Sequence, residues 1–180
     1  GSIGGIAGLN YHYSIIEKSK NEGIVKCDSW YAGGIIGINY DTVNNCINKG
    51  EVQSISGAST SQQIGGIVGR NACIIKECLN TGDVSGTTDN FDYIGGIAGV
   101  MNGTSYVRTL EAKIEKCYNS GNITGNNNIG GLVGRTSELG EINSCYNIGD
   151  VTGNSLVGGI TGATVGGANY IYNSYNKGKI

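Results

Sequence analysis

Ile114-Glu115-Lys116-Cys117-Tyr118-Asn119-Ser120-Gly121-Asn122-Ile123 is one of six copies of a ten-residue phrase. Each copy follows a shorter glycine phrase, of which Gly130-Gly131-Leu132-Val133-Gly134 is an example. Aligned on a Cys/Ser column (Ser19, Cys46, Cys78, Cys117, Cys145, Ser174), the copies agree without exception at several positions. Two residues on, all six have asparagine: Asn21, Asn48, Asn80, Asn119, Asn147, Asn176. Four residues on, all have glycine: Gly23, Gly50, Gly82, Gly121, Gly149, Gly178. Six residues on comes Val or Ile, and three residues before the column sit Ile16, Val43, Ile75, Ile114, Ile142 and Ile171. The glycine phrases begin at Gly4, Gly33, Gly65, Gly95, Gly130 and Gly158, so successive copies stand 29, 32, 30, 35 and 28 residues apart. A period of about 31 marks a stacked repeat architecture, in which each unit buries its apolar face only against its neighbours.

The residue types decide which architecture. Glycine makes up 33 of 180 residues, and the apolar runs are short, rich in Ile and Val, and bounded by Gly or Asn. That is the pattern of strands and corners, not of helices. A propeller blade needs about 40 residues, more than this period supplies. The expected fold is therefore all-β: a parallel β-solenoid of about six turns, roughly 31 residues per turn, with two or three short strands in each. Equivalent residues then stack about 4.8 Å apart, and six turns make a rod roughly 30 Å long. The general preference of parallel crossovers makes it right-handed. The Ile and Val columns form the core. The asparagines form an amide ladder, as in other stacked strands. The column glycines supply either an unusual backbone angle or a close approach that a Cβ would forbid. Residues 1–180 read as one repeat domain, expected to be part of a longer array. Residues 101–113 hold the largest insertion, expected as a loop on the outside.

Composition narrows the function. The net charge is −2, only 14% of residues are charged, and no basic stripe appears, which argues against nucleic-acid binding. No apolar run approaches the roughly 18 residues of a membrane-spanning helix, so no membrane insertion is expected. Cys46, Cys78, Cys117 and Cys145 share a column that accepts serine, so they read as small buried thiols in a ladder. Cys27 and Cys73 lie outside it, and a disulfide there stays open. His12 has no partner motif and reads as a loop residue. The Cys73 to Cys78 spacing has no matching second pair for zinc, and no Asp column follows the glycine pairs as calcium-binding repeats need. No metal, cofactor or catalytic group is expected.

Two constellations remain. Asp83, Asp150 and Glu51 share one position, and stacked carboxylates are what a polysaccharide-cleaving solenoid would need. Ile24, Asn122 and Lys179 fill the same position elsewhere, which favours a solvated edge. Next to the Cys/Ser column come Lys20, Ile47, Leu79, Tyr118, Tyr146 and Tyr175. If the column residue points in, its neighbour points out. Tyr118, Tyr146 and Tyr175 then form an outward strip, the candidate for binding a sugar or a protein.

The glycine phrase followed by Cys145-Tyr146-Asn147-Ile148-Gly149-Asp150-Val151 resembles the GLUG repeat, whose namesake letters are nearly spelled by Gly131-Leu132-Val133-Gly134. That repeat occurs in adhesin-like bacterial surface proteins and in the non-catalytic part of IgA-cleaving metallopeptidases. The resemblance covers nearly the whole chain, and the peptidase's zinc-binding His-Glu-x-x-His is absent. It implies a module exported to a bacterial cell surface, serving as a rod-like spacer or binding a host protein or glycan, with flanking repeats or domains of the same chain beside it. The alternative of another class is the polysaccharide-cleaving enzyme.

Overall fold

A computed structural model describes residues 1–28, 30–55, 61–86, 92–105, 108–109 and 111–180, with the backbone alone at 104–105 and 108–109. It is a parallel β-solenoid, with no helix among the described residues. Six coils stack, five of them complete. The second coil sets the pattern with strands Tyr31–Gly33, Ile36–Asn39, Thr42–Asn44, Ile47–Asn48 and Val52–Ser54. Each strand pairs in parallel with its equivalents above and below, giving five sheets that run the length of the rod. The first four sheets have six strands each, and the fifth has five because the last coil contributes none to it.

Five strands per coil exceed the expected two or three. The reason is local. Gly and Asn corners cut every apolar run, so strands shrink to two to five residues and the coil needs more of them. Register follows the sequence columns without slippage: Asn48 lies between Asn21 and Asn80, and Ile75 between Val43 and Ile114. The insertion at 101–113 also departs from a simple loop. Met101 and Ala112 at its ends are fully buried core residues. Between them Thr104–Ser105 pairs antiparallel with Arg108–Thr109, and positions 106, 107 and 110 lie outside the described residues.

The core has two lobes. One is built from the second, third and fourth sheets, including Ile35, Val43, Cys46, Ile75 and Ile114. The other lies between the first and fifth sheets, including Ala32, Val52, Ile64, Val84 and Ile94. The two invariant phrases meet at the waist between the lobes. The second glycine of each pair faces the ladder asparagine of its own coil: a Cβ on Gly34 would stand 2.5 Å from Asn48 Nδ2 and would overlap the Gly66 carbonyl oxygen above. The column glycines are crowded from below instead. A Cβ on Gly82 would overlap the Gly50 carbonyl oxygen. Neither set has a positive φ, which among glycines belongs to Gly166 alone of the described residues. Close approach, not an unusual backbone angle, is why these columns are glycine.

The left-handed corner sits elsewhere. Lys18, Asn45, Glu77, Lys116, Ser144 and Asn173 immediately precede the Cys/Ser column, and all have φ between 49° and 55°. The N–H groups of the first five bond upward, as in Asn45 to the Lys76 carbonyl and Glu77 to that of Glu115. Each such corner costs about 1 kcal/mol for a residue with a Cβ, offset by the ladder that follows it.

Candidate functional site

Three ladders pass through or along the fourth sheet. In the asparagine ladder, Nδ2 donates to the next coil's Oδ1 at 2.7–2.8 Å from Asn21 through Asn48, Asn80, Asn119 and Asn147 to Asn176. The same Nδ2 donates to the carbonyl two residues on, as Asn80 does to Gly82 at 2.7 Å. Both amide protons and the oxygen are thereby spent within the buried interior, which is the condition for burying an amide at all.

The cysteine column works the same way with sulfur. Sγ of Cys78 accepts from the backbone N–H of Cys46 at 3.4 Å, and Sγ of Cys117 accepts from that of Cys78 at 3.3 Å. Each thiol donates to the carbonyl two residues back, Cys117 to Glu115 at 3.2 Å. Ser174 accepts from Cys145 N–H at 3.1 Å and donates to Tyr172 at 2.9 Å, so a hydroxyl fills the role at the top of the column. All six cysteines are thiols, including Cys27 and Cys73. Burial and its thiol neighbours push the Cys117 thiol well up from its ordinary value. A protonated Cys117 suits its donation to the Glu115 carbonyl.

The tyrosines face outward in register. Tyr118 and Tyr146 stack with ring centroids 4.9 Å apart at 9°, Tyr146 and Tyr175 at 5.2 Å and 5°. The strand spacing imposes that separation. Tyr118 and Tyr146 are half-buried, Tyr175 is 47% exposed, and Lys177 Nζ lies 5.5 Å from the Tyr175 ring centroid. Burial raises the Tyr146 phenol above its ordinary value. Below it the same column continues as Leu79 and Ile47, then Lys20, which is ion-paired with Glu22. The result is a flat aromatic surface at one end grading to aliphatic and then charged at the other.

The remaining sequence candidates take structural places. Asp83 Oδ1 accepts from the Asn122 backbone N–H at 2.8 Å, and Asp150 Oδ1 from that of Lys179 at 2.9 Å. Between them Asn122 Oδ1 accepts from Asp150 N–H at 3.2 Å. From the third coil to the sixth, this position thus ties each coil to the next. His12 lies in the turn after the first glycine phrase, with its ring 3.9 Å from that of Tyr11. Among the described residues no cluster of His, Cys, Asp or Glu could hold a metal ion, and no helix is long and apolar enough to cross a membrane.

One ladder is invisible to the six-copy alignment. Asn10 donates to Asn39 and Asn39 to Asn71, each at 2.8 Å, at the second residue after the glycine phrase. Three of six copies carry Asn there, and Met101 ends the run. Agreement within the first three copies is the signal that would have found it. No family model matches the chain, and neither a curated protein nor a solved structure does.

Proposed function

We propose that this chain is a non-enzymatic rod and adhesion module of a bacterial surface protein, binding a host glycan or protein along the strip of Tyr118, Tyr146 and Tyr175. The stacked rings carry this reading. Three parallel rings, two of them half-buried, make a rigid platform, because the rod fixes each ring before any ligand arrives. A platform so preorganised loses little side-chain freedom on binding. Tyrosine offers an apolar face to a sugar ring or side chain and a hydroxyl at its edge. The resemblance to GLUG repeats supports an extracellular, surface-attached location and the spacer role. The alternative of a polysaccharide-cleaving enzyme draws no support from Asp83 and Asp150, each of which has an oxygen committed to a backbone N–H of the coil above.

A glycan array and a panel of host surface proteins, probed with the whole chain, test the reading. Saturable binding that Tyr146→Ala weakens about tenfold, the loss of roughly one good ring contact, is the expected result. Release of reducing ends from a bound polysaccharide, abolished by Asp83→Asn or Asp150→Asn, would replace adhesion with catalysis.

A further inference from the structure

A groove of about 310 Å³ lies on the outer surface where the first and second sheets meet, on other sheets than the tyrosine strip. The glycine phrase makes it concave. A Cβ on Gly69 would press 2.8 Å from the Gln63 carbonyl oxygen, so its absence lets the second sheet fold closely against the first. Arg70, Val100 and Arg135 stack in one outward column along the second sheet. Gln63 and Tyr93 form the facing column on the first. Two of the chain's three arginines therefore lie in one groove, and none of the described residues lining it is acidic.

Three polar atoms here are unspent. Arg135 Nη1 donates to the Tyr93 hydroxyl at 3.0 Å, and its guanidinium sits 5.3 Å from the Tyr93 ring centroid. The Nε atoms of Arg70 and Arg135 are buried with no hydrogen-bond partner, and so is Gln63 Oε1. Buried donors and acceptors are normally satisfied, above all when charged. Two guanidiniums with no carboxylate to balance them among the described residues call for an anion, and a buried amide oxygen calls for a donor such as a hydroxyl. The register places the two arginines two strand spacings apart, about 9.6 Å between their Cα atoms. That separation suits two acidic groups on one chain rather than one small ion.

We infer that this groove binds an acidic polysaccharide, with carboxylates of separate sugar units on Arg70 and Arg135, a ring on Tyr93 and a hydroxyl on Gln63. A sugar supplies all three partners at once: anion, apolar ring face and O–H donor. Among the described residues lining it, Val100 is the one aliphatic side chain, and the rest are polar or aromatic. The inference does not rest on the tyrosine strip.

The test is calorimetric titration of the whole chain with hexagalacturonate, with neutral maltohexaose and poly-glutamate as the comparison ligands. Saturable binding of hexagalacturonate alone, weakening as salt is raised, is expected. Arg70→Gln and Arg135→Gln should each weaken it about tenfold, and Arg135→Lys should restore part of the loss because it keeps charge without the fork. Tyr146→Ala should leave it unchanged, which separates failure of this site from failure of the strip. Circular dichroism and the urea midpoint of each variant establish that it is folded. No binding of hexagalacturonate at low salt, or undiminished binding by the folded double variant, overturns the inference. Equal binding of poly-glutamate overturns the sugar as occupant and makes it an acidic protein.

Discussion

The interior coils and the two end coils are built from the same phrase, yet the same columns have different surroundings in them. Ile35 is fully buried while Ile6, one coil below in the same column, is 45% exposed; Ile142 is fully buried while Ile171, one coil above, is 41% exposed. A coil therefore does not bury its own apolar face. The neighbouring coil does, and stability is a sum over interfaces rather than a property of each repeat. The interfaces are also polar in direction. Second glycines of the pairs are crowded from above and column glycines from below. Identical substitutions should thus differ according to coil and according to which way the residue faces.

The largest contrast is expected at the column glycines. A Cβ on Gly82 overlaps the Gly50 carbonyl, backbone that cannot move without opening the interface. Gly82→Ala should cost about 3 kcal/mol or more. Gly23 occupies the same column in the first coil, where its Cβ would meet only Asn21 Oδ1 at 3.6 Å. Gly23→Ala should be neutral, or stabilising by up to about 1 kcal/mol through the loss of unfolded-state freedom. Urea midpoints of the two variants measure both, and equal losses would mean that the stacking is not what makes glycine necessary.

Next comes the amide ladder. Asn80→Ala strips a donor–acceptor pair from the interior, leaving the Asn48 amide proton, Asn119 Oδ1 and the Gly82 carbonyl without their partner. About 2 kcal/mol is expected, the cost of leaving buried polar groups unpaired. Asn176→Ala removes only the top rung, from a half-buried position, and should cost under about 1 kcal/mol. If the two substitutions cost the same, the ladder is not cooperative along the rod.

The thiol column sharpens the comparison chemically, since serine serves at both ends of a column that is cysteine within. Cys117→Ser retains a donor for the Glu115 carbonyl and an acceptor for Cys78 N–H, so a cost of about 1 kcal/mol or less is expected. Cys117→Val loses both bonds and should cost more than the serine variant. With every thiol buried and that of Cys117 pushed up by burial, the native chain should resist maleimide at pH 8, and all six cysteines should react once it unfolds. Rapid labelling of the folded chain would contradict the buried column.

Much of this was legible because the period brings like residues into register: the asparagine ladder, the cysteine column and the outward tyrosines follow directly from the alignment of six copies. What escaped it has physical reasons. The left-handed corner is occupied by Lys, Asn, Glu and Ser, so no residue type betrays it; the hydrogen bonds of the neighbouring column impose it. The ladder of Asn10, Asn39 and Asn71 spans half the copies and drops below a six-copy rule. The waist, where each second glycine meets its own asparagine, depends on how the coil folds back on itself. The groove of Arg70 and Arg135 depends on two sheets meeting at an angle that spacing does not encode.

The smallest expected effect lies at the uppermost interface and is read by pH. Glu141 of the fifth coil accepts from the Tyr172 hydroxyl of the last coil at 2.6 Å and pairs with Lys113 of the fourth at 3.3 Å. The Tyr172 bond, then Lys113, holds its carboxyl below its ordinary value of 4.5. Because the folded value is the lower one, the carboxylate's contribution is fully present above the unfolded value. It is lost as pH falls through the folded value. These groups are partly solvated, so the contribution is expected below about 1 kcal/mol. It should appear as faster hydrogen exchange in the last coil as pH drops beneath the usual carboxylate range and after correction for the intrinsic rate. Glu141→Gln should remove that acid sensitivity while leaving exchange in the third and fourth coils unchanged. An unaltered pH response in the variant would assign the sensitivity to the other carboxylates that tie coil to coil, Asp150 first among them because it bonds Lys179 across the same interface.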